Sequence, residues 1–227
     1  MVKELARLRA KRIGPVETHR VIASAYPHVD LYTDLGVPPK DWDILHEIEG
    51  LTNARLRDER GEVPIVSPAD RAQGPGASFI MGQFTRPYPS RFSDGTYGVY
   101  YCAAREETAI REVAHHRARF MAETHMPPQT LVFRSITAMI EGKGYDVYAA
   151  SWRWLRSDDW TRCQQFGREA CTKTEMLRYE SVRDRGHAAY AVFKPRVIRD
   201  ARHARFLEMY WDGRTITHWS EIGGDIP

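Results

Sequence analysis

An α+β fold is what this sequence predicts, and three features predict it. Apolar segments of strand length recur along the chain, and one long helical stripe follows directly on a strand signal. Strands and helices nevertheless fail to alternate in the regular way that a parallel βαβ sheet requires. The 227 residues are 42% hydrophobic and 28% charged, enough to bury a core without help from disulfides or metal. No internal repeat or low-complexity tract interrupts them.

Taken in order, the chain begins with Leu5 and Leu8 set among Lys3, Arg7, Arg9, Lys11 and Arg12. This predicts an N-terminal basic helix within residues 1–15, stopped by Gly14-Pro15, before a single domain over 16–227. Residues 17–26, with His19, Arg20, Val21 and Ile22, read as the first strand. After Gly36, Pro38 and Pro39, the residues Trp42, Leu45, Ile48 and Leu51 repeat at helical spacing to about Arg57. Residues 61–89 are dense in glycine and proline and predict a long irregular connection.

Tyr97–Ala104 is apolar on both alternating faces, which predicts a buried strand, with a turn signal at Asp94-Gly95 before it. A helix follows from Glu106 to Glu123: Ile110, Val113, Ala114, Phe120 and Met121 form its apolar stripe, and Glu106 and Glu107 sit at its positive end. Pro127-Pro128 ends it. Leu131–Ile136 reads as a strand, Trp152, Trp154, Leu155 and Trp160 as a packed aromatic region, and Gln164–Lys173 as a helix. Residues 187–194 read as a strand, and Phe206–Trp211 with Thr215–Trp219 as a hairpin around Asp212-Gly213.

Several function classes lose support at this point. Thirty-three Lys and Arg against thirty Asp and Glu give a net charge of +3, which selects no partner and does not favour direct nucleic-acid binding. The first residues are charged where a signal peptide would be apolar, and the longest apolar runs, about eight residues, are far too short for a membrane span. Cys102, Cys163 and Cys171 are odd in number and irregularly spaced, so neither a disulfide framework nor a zinc site is signalled; the expected compartment is the cytoplasm and the expected metal content none. There is no phosphate loop, G-x-S-x-G elbow, H-E-x-x-H or dinucleotide-binding glycine motif. His115 and His116 are adjacent, so on a helix they point about 100° apart and read as helix surface.

What remains is the stretch Arg91–His116, followed much later by Tyr179-Glu180-Ser181, and within it a resemblance to a known family picks out Arg91, Tyr101 ten residues later, Glu112 eleven further on and Ser181, with Arg20 on the first strand. Each residue type suits one task. Arginine forks match a pyrophosphate bidentately. Glu112 has Thr108, Ala109, His115 and His116 at helical neighbour positions, so no local cation neutralises it. Tyr101, on an apolar strand, is either a core residue or a face that stacks on a cationic ring. Ser181 is either a turn residue or a hydrogen-bond partner for a ligand. A two-residue turn at Asp94-Gly95 would put Arg91 and Tyr101 on opposite faces, so a shared site requires that the segment before Ser93 is not a regular paired strand.

The order and spacing of these residues resemble the RES domain family, named for an arginine, a glutamate and a serine. The resemblance covers about residues 17–200, with Arg20 in "HRV" the weaker match. Phe92-Ser93 stands where the family commonly has Trp-Asn, and a segment of about 36–86, resembling an insertion or lid, separates Arg20 from Arg91. The resemblance implies a core of short mixed or antiparallel strands with flanking helices, similar to bacterial ADP-ribosyltransferases, and NAD+ as the substrate. It implies catalytic roles for Glu112, Tyr101 and Ser181 and NAD+ contacts for Arg91, Arg20, Tyr101 and Ser181. It also implies a toxin of a two-gene type II toxin–antitoxin module, whose antitoxin partner covers the cleft. ADP-ribose would then go to a host protein, or, in a glycohydrolase or phosphorylase, to water or phosphate. Two rivals stand beside it: a nucleic-acid-binding module using residues 3–12, and a nucleotide-binding protein without activity.

Overall fold

The computed structural model describes residues 4–23, 66–72 and 76–222. Its strands are β1 (Lys11–Ala23), β2 (Pro89–Ser90), β3 (Ser93–Asp94), β4 (Tyr100–Ala103), β5 (Gln129–Asp146), β6 (Met176–Glu180), β7 (Ala188–Val192), β8 (Ile198–Trp211) and β9 (Ile216–Glu221). Three α-helices accompany them among the described residues: α1 (Ala77–Thr85), α2 (Glu106–Glu123) and α3 (Thr161–Ala170). This is the α+β class, with strands and helices intermixed.

Seven strands form one sheet in the order β1-β4-β7-β6-β5-β8-β9, antiparallel except between β5 and β6. The long β5 pairs with β8 over Gln129–Ile140 and with β1 over Phe133–Gly144. Past the end of the β8 ladder, Gly144–Asp146 pairs with β6 instead. Because β1 also meets β4 at His19 and Ala103, the strands β1, β4, β7, β6 and β5 close into a ring. Closure pairs both sides of β1, β4, β7 and β6 and leaves β9, beyond β8, as the edge strand of this sheet among the described residues.

Three buried clusters fill the space around this sheet. In one, α1 sets Ile80, Met81 and Phe84 against Tyr100, Cys102 and Val192. In a second, α3 sets Cys163 and Phe166 against Phe92, Leu177 and Ala191. In the third, α2 sets Ala109, Ile110 and Met121 against Phe133, Leu207, Met209 and Trp211. Burying one such side chain is worth about 1.5–3 kcal/mol, so each helix is held by its apolar stripe more than by its own hydrogen bonds.

Several expectations are corrected. The N-terminal basic helix is a single 3-10 turn at Leu5–Arg7, and Lys11–Pro15 belong to β1. Gly14-Pro15 does not stop a helix but falls where the β1–β5 register shifts, between Ile13 and Val16, a bulge where the missing N–H of proline costs no ladder bond. Residues 77–85 are not irregular: Gly74-Pro75-Gly76 precedes a helix whose Ile80, Met81 and Phe84 are buried, so the turn signals bracket α1 and do not exclude it. That part of the segment read as an insertion is core. The expected helix ending near Arg57 lies outside the described residues, as do residues 36–65 and the end of the first strand beyond Ala23. The helix expected at Gln164–Lys173 starts earlier, at Thr161, where the Asp159 carboxylate accepts the Thr161 N–H at 3.0 Å. The turn expected at Asp94-Gly95 is present, with Gly95 at φ 95° and the Thr96 N–H on the Asp94 carboxylate, but a second turn precedes it: Pro89 pairs with Asp94 and Ser90 with Ser93, so Arg91 and Phe92 form the turn of a two-residue hairpin. No helix of the described residues is long and apolar enough to cross a membrane.

Candidate active site

A cavity of about 290 Å³ lies where β1, β4, the β2–β3 hairpin and α2 meet. Arg20, Arg91, Tyr101 and Glu112 all line it, together with His116, Trp160 and Tyr179. Four of the five residues singled out from the sequence therefore converge on one space, and Arg91 and Tyr101 share it because the hairpin turns at Arg91.

The two arginines are buried without a carboxylate. Arg20, 7% exposed, donates from Nη1 to the Tyr101 carbonyl at 2.8 Å and lays its guanidinium 4.7 Å from the Tyr100 ring centre. Arg91, 6% exposed, donates from Nη1 to the carbonyls of Ser157 at 2.8 Å and Leu155 at 3.1 Å, with the Trp160 ring at 5.8 Å. Among the described residues neither forms an ion pair, and Arg20 Nε and Arg91 Nη2 are buried with no hydrogen-bond partner. Carbonyls, ring faces and, for Arg91, the Cys163 thiol hold these buried cations in place without neutralising them.

Glu112 is held in the opposite manner, by neutral donors. Its Oε1 accepts from Ser181 Oγ at 2.5 Å, from the Val182 N–H at 3.1 Å and from the Arg183 N–H at 3.4 Å. Ser181 Oγ in turn accepts the N–H groups of Arg183 at 3.2 Å and Asp184 at 3.0 Å. The turn after β6 is thus a cradle for one oxygen of one carboxylate. Among the described residues Oε2 has no such partner; His116 Nε2 lies 3.9 Å from it. Ser181 itself is fully buried and does not line the cavity, so it stands behind Glu112 and not on the face where a ligand would bind.

Tyr101 has two functions in the geometry. Its ring lines the cavity, while its hydroxyl accepts the Phe92 N–H at 2.9 Å and shares a hydrogen bond with Ser90 Oγ at 3.0 Å. These contacts fix the hairpin that carries Arg91. Burial raises the phenol well above its ordinary range, so the hydroxyl stays neutral. The Tyr97 hydroxyl donates to the Phe92 carbonyl from the other side of the turn. Behind the hairpin, α3 approaches so closely that a Cβ on Gly167 would fall 2.0 Å from the Phe92 carbonyl oxygen. Glycine is required there by contact, not by backbone conformation.

His116, Trp160 and Tyr179 were not singled out as site residues from the sequence. His116, read as helix surface, lies one turn beyond Glu112 on the same face of α2, its ring packed edge-on to Trp160 at 5.8 Å between centroids. Burial, opposed by the Glu112 charge, holds its imidazole below the usual histidine range. The i,i+4 spacing from Glu112 was the available signal. Trp160, grouped with the packed aromatics, reaches the cavity from the loop before α3. Trp152 and Trp154 do pack, with ring centroids 5.4 Å apart.

Residues 68–212 match the RES domain. The chain belongs to the RES domain family. The matched span contains Arg91, Tyr101, Glu112 and Ser181 but not Arg20, whose membership of the RES site rests on its position in β1 and its bond to Tyr101. No curated protein matches the chain.

Proposed function

We propose that this RES domain protein is an NAD+-cleaving toxin that transfers ADP-ribose to a host protein, working in the cytoplasm under the control of an antitoxin that covers the cavity. One observation carries the reading: a carboxylate with one oxygen immobilised by three donors and the other left free, in a cavity that also holds two buried guanidinium groups without counter-charges.

Each part has a task in that reaction. The Arg20 and Arg91 guanidinium groups, which line the cavity, supply the positive charge that holds a pyrophosphate. The faces of Tyr101 and Trp160 stack on the cationic nicotinamide. The nicotinamide–ribose bond then breaks with its electron pair going to the departing ring, and positive charge spreads over the ribose. The free Oε2 of Glu112 hydrogen-bonds the ribose 2-hydroxyl, a contact that strengthens as that charge grows. Because Oε1 is already fixed, Glu112 needs no reorganisation at that moment.

The test is nicotinamide release from NAD+ by the purified protein in plain buffer, with phosphate, and with bacterial proteins and labelled NAD+. Labelled protein bands are expected; release that needs only water or phosphate would replace transfer with degradation of NAD+. Glu112→Gln, which keeps the shape of the side chain, is expected to lower turnover about 10²–10³-fold, the range for losing one preorganised charge contact. Equal release by wild type and Glu112→Gln, or none by either together with salt-sensitive duplex binding, would sink the reading.

A further inference from the structure

The cavity is not closed on its outer side. A broader groove of about 590 Å³ adjoins it, and the two share three residues: Pro89, His116 and Trp160. The groove runs outward along α2 past Arg119 and Phe120 and along the segment before α3, where Asp158 and Asp159 lie. His116 therefore stands at the passage between an enclosed space lined by the Arg20, Arg91 and Glu112 side chains and an open one that a second reactant can enter.

Its chemistry suits that position. The imidazole is 43% exposed, so a reactant in the groove can touch it, and its Nε2 lies 3.9 Å from Glu112 Oε2. The charged groups around it are Glu112 and His115 on α2, Arg91 on the β2–β3 hairpin and Arg183 after β6. Burial outweighs the Glu112 charge, and His115, Arg91 and Arg183 add to it, which favours the neutral ring able to accept a proton. Glu112 cannot serve the same purpose well: one of its oxygens is saturated by donors, and the other is committed to the ribose.

We infer that His116 is the proton acceptor for the incoming nucleophile, and that the outer groove is the route by which that nucleophile reaches the sugar. The inference rests on the NAD+-cleaving reading and deepens it. As the C1–nicotinamide bond breaks and its electron pair leaves with nicotinamide, a lone pair of the acceptor O–H or N–H forms the new bond to C1. The acceptor's proton passes to the His116 imidazole, which becomes imidazolium and later releases it to solvent. Atoms and charge balance as NAD+ plus acceptor giving ADP-ribosyl acceptor, nicotinamide and one proton.

The test compares wild type and His116→Gln in whichever acceptor supports turnover, and then with azide, a nucleophile that has no proton to lose. With the protic acceptor, kcat is expected to fall about a hundredfold, the low end for a positioned base, while the KM for NAD+ stays within about threefold. With azide the variant is expected to match the wild type within about threefold. Equal loss with both acceptors, no loss with either, or a wild type insensitive to azide would overturn the assignment. A thermal melt that coincides with the wild type shows that the half-exposed substitution leaves the fold intact. If the wild type releases no nicotinamide at all, the NAD+ reading falls and this inference with it. If the wild type is active and His116→Gln equals it in every acceptor, only this inference falls.

Discussion

Ser181→Ala separates a residue that touches substrate from one that holds another residue in place. The substitution removes the 2.5 Å hydrogen bond to Glu112 Oε1 and the oxygen that accepts the Arg183 and Asp184 N–H groups. A hydrogen bond to a charged group is worth about 1.5–3 kcal/mol, and a buried N–H left unpaired costs about 1–3 kcal/mol. Arg183 keeps Glu112 Oε1 as an acceptor at 3.4 Å, so only the Asp184 N–H is stranded. The sum is about 2.5–6 kcal/mol, or a melting point roughly 5–24 °C lower for a chain of this size.

The kinetic signature discriminates further. Glu112 Oε1 retains two backbone donors, so the carboxylate stays in the cavity but is held less firmly. kcat for nicotinamide release is expected to fall about tenfold with the KM for NAD+ unchanged. In the Glu112→Gln background the same substitution is expected to cost no further kcat, because its effect passes through the carboxylate. A KM that rises while kcat holds, or a loss that adds in full to that of Glu112→Gln, would refute the positioning role and return Ser181 to the ligand face.

Two further outcomes test how the arginine hairpin is held. Gly167→Ala drives a methyl group into the Phe92 backbone, with nothing flexible to yield; overpacking of this kind costs about 1–3 kcal/mol, and the displaced turn is expected to raise the KM for NAD+ about tenfold, a wild-type KM being the contrary result. Asp94, at the other end of the hairpin, has its carboxyl held down to about 2 from 3.8 by the Thr96 hydroxyl first, then the Thr96 N–H and Arg168. Its folded pKa lies below its unfolded one, so its contribution to stability is complete above about pH 3.8 and is lost as pH falls through 2. The melting-point gap between wild type and Asp94→Asn is therefore expected to be wide at pH 6 and narrower at pH 3; a gap independent of pH would remove the carboxylate's role.

Where structure follows from local periodicity, the sequence was sufficient. α2 runs from Glu106 to Glu123 as its stripe predicts, β4 lies inside the apolar run Tyr97–Ala104, and β8 and β9 turn at Asp212-Gly213. Where partners decide, it was not. β5 continues over Glu141, Gly142, Lys143 and Gly144, poor strand formers in isolation, because β1 and β6 pair with them from distant parts of the chain. β6 was missed as a strand for the same reason, and β1 absorbs Lys11 and Arg12 because Gly144 and Lys143 lie opposite them.

The site divides along the same line. Arg91, Tyr101 and Glu112 were legible through their resemblance to the RES motif, whereas the task of Ser181 depends on which way one turn faces. What no spacing conveys is how the charges are kept apart. Were Arg91 or Arg20 paired with Glu112, each would satisfy the other and little would be left for a ligand. Instead Glu112 is bound by a hydroxyl and two peptide N–H groups, and the arginines by carbonyls and aromatic faces. All three are held by neutral partners, which fix their positions without cancelling their charges. The cavity thus presents negative and positive groups that do not neutralise each other, on walls less polar than water, where each acts more strongly than it would in solvent. The NAD+-cleaving function proposed above depends on that separation, since a cationic ring and an anionic pyrophosphate need opposite charges that are not already spent on each other.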